Sequence, residues 1–190
     1  MSIFANTIYI LQNMSELLNV TDIKEGLPGI SKSSCAHYYE AFMVCMHRCQ
    51  HKIGTELGLS GDAENAFSLH WVDYFDDQID RTWQDQIYCT DHAAVCLSAL
   101  LVKRCTEYTI IQRARIGTGV DYWLGKEDDV PFQNSARLEI SGIFKESATN
   151  TADKRLEMKK KQTQASDSTS LPVYVSIVEF SNPKAILAKK

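Results

Sequence analysis

Apolar residues recur at helical spacing along the first half of the chain and at strand spacing along much of the second. Phe4, Ile8, Leu11 and Leu18 predict a short amphipathic helix that stops before the turn Gly26-Leu27-Pro28-Gly29. From Ser33 a longer helix is expected to run to about Leu57. Cys35, Tyr38, Phe42, Met46, Cys49, Ile53 and Leu57 line one face of it, Ser33 or Ser34 caps it, and Gly58 ends it. After a polar turn at Ser60 to Asn65, the stretch FSLHWVDYFDDQIDRTWQDQ keeps Val72, Phe75, Ile79 and Trp83 at helical spacing. Asp73, Asp76, Asp77 and Asp80 fill its flank, so an acidic amphipathic helix is expected there. Thr90 then reads as an N-cap with Asp91 in the first turn, where the helix dipole favours negative charge. From His92 to Val102 the side chains are apolar almost all round, which predicts a buried helix.

The second half changes period. Glu107 to Ile116 is rich in β-formers and Gly119 to Leu124 is short and aromatic. In Ala136 to Phe144, the residues Ala136, Leu138, Ile140, Gly142 and Phe144 alternate with Arg137, Glu139, Ser141 and Ile143. Three consecutive strands follow from this. A lysine-rich segment from Ala152 to Gln164 reads as a helix, and Val173 to Phe180 as a last strand closed by Asn182-Pro183. The expected order is helix, strand, strand, strand, helix, strand. There is no internal repeat, and the Ser/Thr-rich stretches Glu146 to Thr151 and Ala165 to Ser170 are connectors.

Composition narrows the class. At 190 residues with 44% hydrophobic and 23% charged side chains, the chain suits one domain around a real core and is too apolar to be disordered. No run reaches the roughly 18 apolar residues of a membrane span, and MSIFANTIYILQNMSELL lacks the marks of a signal peptide, so a cytoplasmic protein without a membrane partner is expected. The six cysteines fall mostly within apolar helical patterns and read as reduced thiols. A formal net charge of −4 excludes nucleic-acid coating through bulk positive charge, leaving local contacts only.

Two carboxylates carry the candidate chemistry. Asp121 lies in GTGVDYWLG and Glu139 in ARLEISG, on adjacent predicted strands joined by a loop from Lys126 to Ser135, so a hairpin brings both to one end of a sheet. Paired acidic side chains suit Mg²⁺, a hard cation that takes oxygen ligands and keeps waters for a phosphate substrate. Metal-assisted phosphodiester hydrolysis is the matching reaction. In a purely structural reading, Asp121 shapes a turn beside Gly117 and Gly119, Glu139 pairs with Arg113, Arg115 or Arg137, and the Lys159-Lys160-Lys161 run is a solvated helix face.

Over residues 88 to 181, the element order together with Thr90-Asp91-His92-Ala93, Gly119-Val120-Asp121 and Leu138-Glu139-Ile140-Ser141 resembles the restriction-endonuclease-like, or PD-(D/E)XK, superfamily. The resemblance implies an α/β fold: an αβββαβ core with a mixed sheet of about four strands and, ahead of it, an N-terminal helical extension over residues 1 to 86, all in a single domain. It implies Mg²⁺ or Mn²⁺ held by Asp121 and Glu139, with Asp91 as a third acidic group, and hydrolysis of DNA in a setting such as bacterial antiviral defence. The superfamily pattern places a lysine two positions after the glutamate, where this chain has Ser141. Arg155, Lys159 and Gln162 share one face of the following helix, so Lys159 is the expected substitute, with Arg155, Gln162 and Ser141 on the substrate side. The alternative is an inactive subunit of the same fold, binding a protein partner or a second copy of itself.

Other constellations are weaker. Cys45 and Cys49, and His47 and His51, each share a helix face, but the two pairs point in different directions and no CxxC is present. The aspartates of residues 73 to 80 read as a wet flank, and Asp91-His92 has no assignable nucleophile. No P-loop, GxGxxG, HExxH or GxSxG pattern occurs.

Overall fold

The structure, a computed structural model, describes residues 15–190. One mixed sheet of eight strands runs through it in the order β1-β3-β2-β8-β7-β6-β5-β4. The strands are β1 (Glu16–Asn19), β2 (Glu56–Gly61), β3 (Asn65–His70), β4 (Thr109–Arg113), β5 (Tyr122–Gly125), β6 (Ala136–Ile143), β7 (Val173–Glu179) and β8 (Lys184–Lys189). The helices are α1 (Lys32–Arg48), α2 (Asp77–Thr82), α3 (Gln86–Cys105) and α4 (Ala152–Gln162). The chain is therefore an α/β protein, and no helix among the described residues is long and apolar enough to cross a membrane.

The segment ahead of Gln86 is not all helical. Phe4, Ile8 and Leu11 lie outside the described residues, but Leu18 belongs to β1, which pairs in parallel with β3. Helix α1 ends at Arg48 rather than near Leu57, because Gln50 takes a left-handed φ of 61° and turns the chain back. Ile53 is left exposed, and Leu57 is buried in β2 rather than on a helix. Beyond it a second period operates: Leu57 and Leu59, then Phe67 and Leu69, alternate in burial and form the antiparallel pair β2–β3. The expected acidic helix shrinks to α2, capped by Asp76, and Val72 is exposed in the stretch before it. Three strands thus extend the sheet where a helical extension was expected, and a further strand, β8, follows the turn at Asn182-Pro183.

Helix α3 starts one turn earlier than Thr90. The Asp85 carboxylate accepts from the amides of Ile87 and Tyr88 at 2.9 and 3.0 Å and is the true N-cap. Thr90 is inside the helix, donating to the Gln86 carbonyl at 2.7 Å, so Asp91 stands in the second turn.

The sheet is covered on both faces. Helices α1 and α3 bury Phe42, Met46, Leu97 and Leu101 against Leu57, Phe67, Leu138 and Leu187 on one face. On the other face, α4 packs Ala152 and Leu156 over Ile143, Val175, Ile177 and Ile186. Strands β4, β5 and β6 form an antiparallel meander, and α4 then carries the chain across to β7, parallel to β6. Because every position of β6 is buried, its alternation sorts residues between two covered faces: Leu138 and Ile140 toward α3, Arg137, Glu139, Ser141 and Ile143 toward α4.

Candidate functional site

Where β5 begins, β6 runs on past its partner. Asp121 sits immediately ahead of β5 and continues its register with β6: Tyr122 lies opposite Leu138, and the Asp121 amide donates to the Leu138 carbonyl at 2.9 Å. Its carboxylate Oδ2 accepts from the Ile140 amide at 2.8 Å, replacing the main-chain acceptor that a longer strand would have offered. Asp121 therefore faces Glu139 and closes the end of the strand pair at once.

Glu139 is 1% exposed. Along β6–β7 its partner is Val175, so one flank is apolar. From α4, Lys159 Nζ donates to Oε1 at 2.5 Å and Gln162 Nε2 donates to the same oxygen at 2.8 Å. The second oxygen, Oε2, is buried with no hydrogen-bond partner. Burial, and secondarily the negative charge of Asp121, push the carboxyl pKa up to about 7, against the opposing pull of Lys159 and Gln162.

Two glycines set these elements close. A Cβ on Gly142 would lie 2.5 Å from the Thr90 carbonyl oxygen, so only glycine lets α3 approach β6 closely enough to bring Asp91 beside the sheet. Gly119, at φ +72°, would place a Cβ 2.4 Å from the Gln162 carbonyl, seating the loop before Asp121 against the end of α4.

A cavity of 340 Å³ opens at this junction, lined among others by Asp91, His92, Asp121, Ser141, Arg155 and Lys159. Asp91 and Arg155 also line a neighbouring cavity toward Lys145, and Asp121 and Arg113 line one on the other side, toward Arg115 and Gln162. Loss of surrounding water raises the Asp91 pKa above its ordinary value, while Lys159, His92 and Arg155 draw it back. The structure thus brings Asp91, Asp121, Ser141, Arg155 and Lys159 to one cavity, with Glu139 and Gln162 behind them.

The face expected on α4 reaches β6 along its length: Arg155 donates to the Ser141 hydroxyl at 2.9 Å, and Lys159 and Gln162 both reach Glu139. Arg137, an alternative partner for Glu139, instead donates to the Leu171 carbonyl at 2.6 Å and contacts Asp167. Asn150 went unread in the sequence. Its Oδ1 accepts from Arg155 Nη2 at 2.8 Å and Nε at 3.2 Å, and the one visible signal is its place in a polar connector just before the cap Thr151.

The donor set can be tested against a divalent cation. Among the described residues no three His, Cys, Asp or Glu side chains cluster tightly enough to form a metal cage. Two facing carboxylates, one with an orphaned buried oxygen, nevertheless fit a hard cation that keeps most of its waters. The cysteines and histidines of α1 do not join them: Cys45 is buried against Cys89 of α3, Sγ to Sγ 3.7 Å, and His47 stacks on Phe75. Compared with protein-family models, with curated proteins and with solved structures, the chain has no match.

Proposed function

We propose that the protein is a metal-dependent nuclease with a restriction-endonuclease-like core, cleaving DNA phosphodiester bonds in the cytoplasm. The observation that carries this reading is the buried Glu139 carboxylate, orphaned at Oε2, facing Asp121 and paired at Oε1 with Lys159 beside an open cavity. An unpartnered buried acceptor is costly, and a cation between the two carboxylates would satisfy it. The meander β4–β5–β6 followed by α4 and the parallel strand β7 supports the architecture.

Asp121 and Glu139 would hold Mg²⁺ or Mn²⁺, with Asp91 across the cavity as a third acidic group. When bound, the metal supplies positive charge to the phosphoryl oxygens and makes water a better nucleophile. The chain's own contribution is placement. Asp121 is fixed by the Ile140 amide, and Glu139 is fixed by Gln162. Lys159 is delivered from α4 to the Glu139 carboxylate at the edge of the same cavity, where its ammonium would stabilise developing negative charge.

A second reading has its own support. Lys159 already meets the charge of Glu139 through Oε1 at 2.5 Å, as a closed ion pair would in a nuclease-fold subunit that binds a partner without cleaving. Cleavage of plasmid and single-stranded DNA with Mg²⁺ or Mn²⁺ separates the two. Activity that is abolished in Asp121→Asn and Glu139→Gln and reduced about a hundredfold in Lys159→Ala is expected of the nuclease. Inactivity of the native chain with both metals selects the subunit.

A further inference from the structure

Arg155 is held in a way that leaves its charge available. Of its five N–H groups, three are taken: Nε and Nη2 donate to Asn150 Oδ1 at 3.2 and 2.8 Å, and Nη1 donates to Ser141 Oγ at 2.9 Å. The remaining two have no protein acceptor among the described residues. Both holders are neutral. They orient the guanidinium plane without cancelling its charge, and among the described residues no carboxylate is within ion-pair distance of it, although Asp91, which lines the same two cavities, feels its charge. Its neighbour Lys159 differs, being bonded to both Glu139 and Gln162.

The holders are themselves fixed. Asn150 closes a tight turn with Ser147, main chain to main chain at 3.1 and 3.2 Å, and Ser141 is locked in the buried strand β6. Arg155 lines two adjoining cavities, of 340 and 440 Å³, so the residue borders open space on two sides. A half-buried, preoriented and unpaired guanidinium is the group that best receives the oxygens of a phosphate.

We propose that Arg155, held by Asn150 and Ser141, is a preformed socket for a phosphate oxyanion, separate in role from Lys159. The proposal deepens the nuclease reading and rests on it for the source of the phosphate, a phosphodiester of the bound polynucleotide next to the cleaved bond. Ser141 then has a positive task. A short hydroxyl at this position leaves room for the guanidinium and gives it a peg.

The test is made on the full chain in EDTA. The Arg155 Nε–H resonance is followed by NMR while inorganic phosphate, and separately a single-stranded 12-mer oligodeoxynucleotide, is added, and 12-mer affinity is measured by fluorescence anisotropy. The resonance should shift with both probes, at far lower concentration for the 12-mer. Asn150→Asp is the decisive variant, because a carboxylate there anchors Arg155 at least as well but neutralises it. It should keep the native melting temperature while weakening 12-mer binding by roughly tenfold or more. Lys161→Ala, an exposed lysine on α4, should bind within about twofold of the native chain, since one exposed charge contributes little.

An Arg155 resonance that moves with neither probe, or Asn150→Asp binding like the native chain, overturns the socket. A response to inorganic phosphate alone overturns the polynucleotide source. Cleavage with Mn²⁺ is scored in parallel. Binding with the expected dependence on residue 150 but no cleavage removes the nuclease reading and leaves the socket standing. Cleavage with native-like binding by Asn150→Asp does the reverse.

Discussion

Glu139 shows what an oxygen pair costs when only one of its atoms is satisfied. Its carboxyl is raised from the ordinary range near 4.5 to about 7, so between those values the folded chain holds a proton that the unfolded chain has released. Without metal, stability should therefore fall as pH rises from about 4.5 through 7, by about 3 kcal/mol at most, and then level off. In Glu139→Gln this decline should vanish, with stability at pH 8 equal to or above native. Urea midpoints across pH in EDTA measure it, and a decline retained in the variant would assign it to another group. Asp121 divides its duties differently. Asp121→Asn keeps an acceptor for the Ile140 amide and should unfold within about 0.5 kcal/mol of native, whereas Asp121→Ala orphans that amide and should lose about 1–2 kcal/mol. Equal stability of the two variants would show that the strand end needs no cap.

Among the elements, α3 and α4 decide whether the residues meet. Helix α3 brings Asp91 in only because Gly142 lets it lie against β6, and α4 sets Arg155, Lys159 and Gln162 over Ser141 and Glu139 at successive turns. Gly142→Ala puts a methyl group into the Thr90 carbonyl and should cost about 1–3 kcal/mol while displacing Asp91. Gly58→Ala, whose Cβ meets nothing within 4 Å, is the control and should change stability by no more than about 0.5 kcal/mol. Equilibrium denaturation of both variants checks the contrast. A tolerated methyl at 142 would mean that α3 is free to move on the sheet.

At the scale of the molecule, one sheet joins the site to the rest of the chain. Strands β6, β7 and β8 are interior strands covered by helices on both faces, whereas among the described residues β1 is a four-residue edge strand paired only with β3. Amide exchange should be slowest in β6 and β7 and fastest among the strands in β1, and denaturant unfolding should show one transition by both fluorescence and circular dichroism. Separate transitions for residues before and after Gln86 would mean that the sheet is two cooperative units.

Periodicity along the chain places much of the second half: β4, β6, α4 and β7 follow their periods, and strand alternation and helical spacing put Glu139 on one face of β6 and Arg155 and Lys159 on one face of α4. Local pattern failed where two periods overlap. Leu57 extends the α1 spacing but also opens the alternation of β2, and only pairing with β3 and β8 selects the strand. It failed again at Thr90, because Asp85 offers a competing cap about a turn earlier and Thr90 itself lies inside α3 with its carbonyl against Gly142. Tertiary structure alone decided that Ser141 supports Arg155 and that Asn150 supports it from a turn outside the sheet. It also decided that one Glu139 oxygen is left without a partner. Such relations join residues from different elements through hydrogen bonds whose geometry no periodicity along the chain encodes, and they exist only once the helices are seated on the sheet.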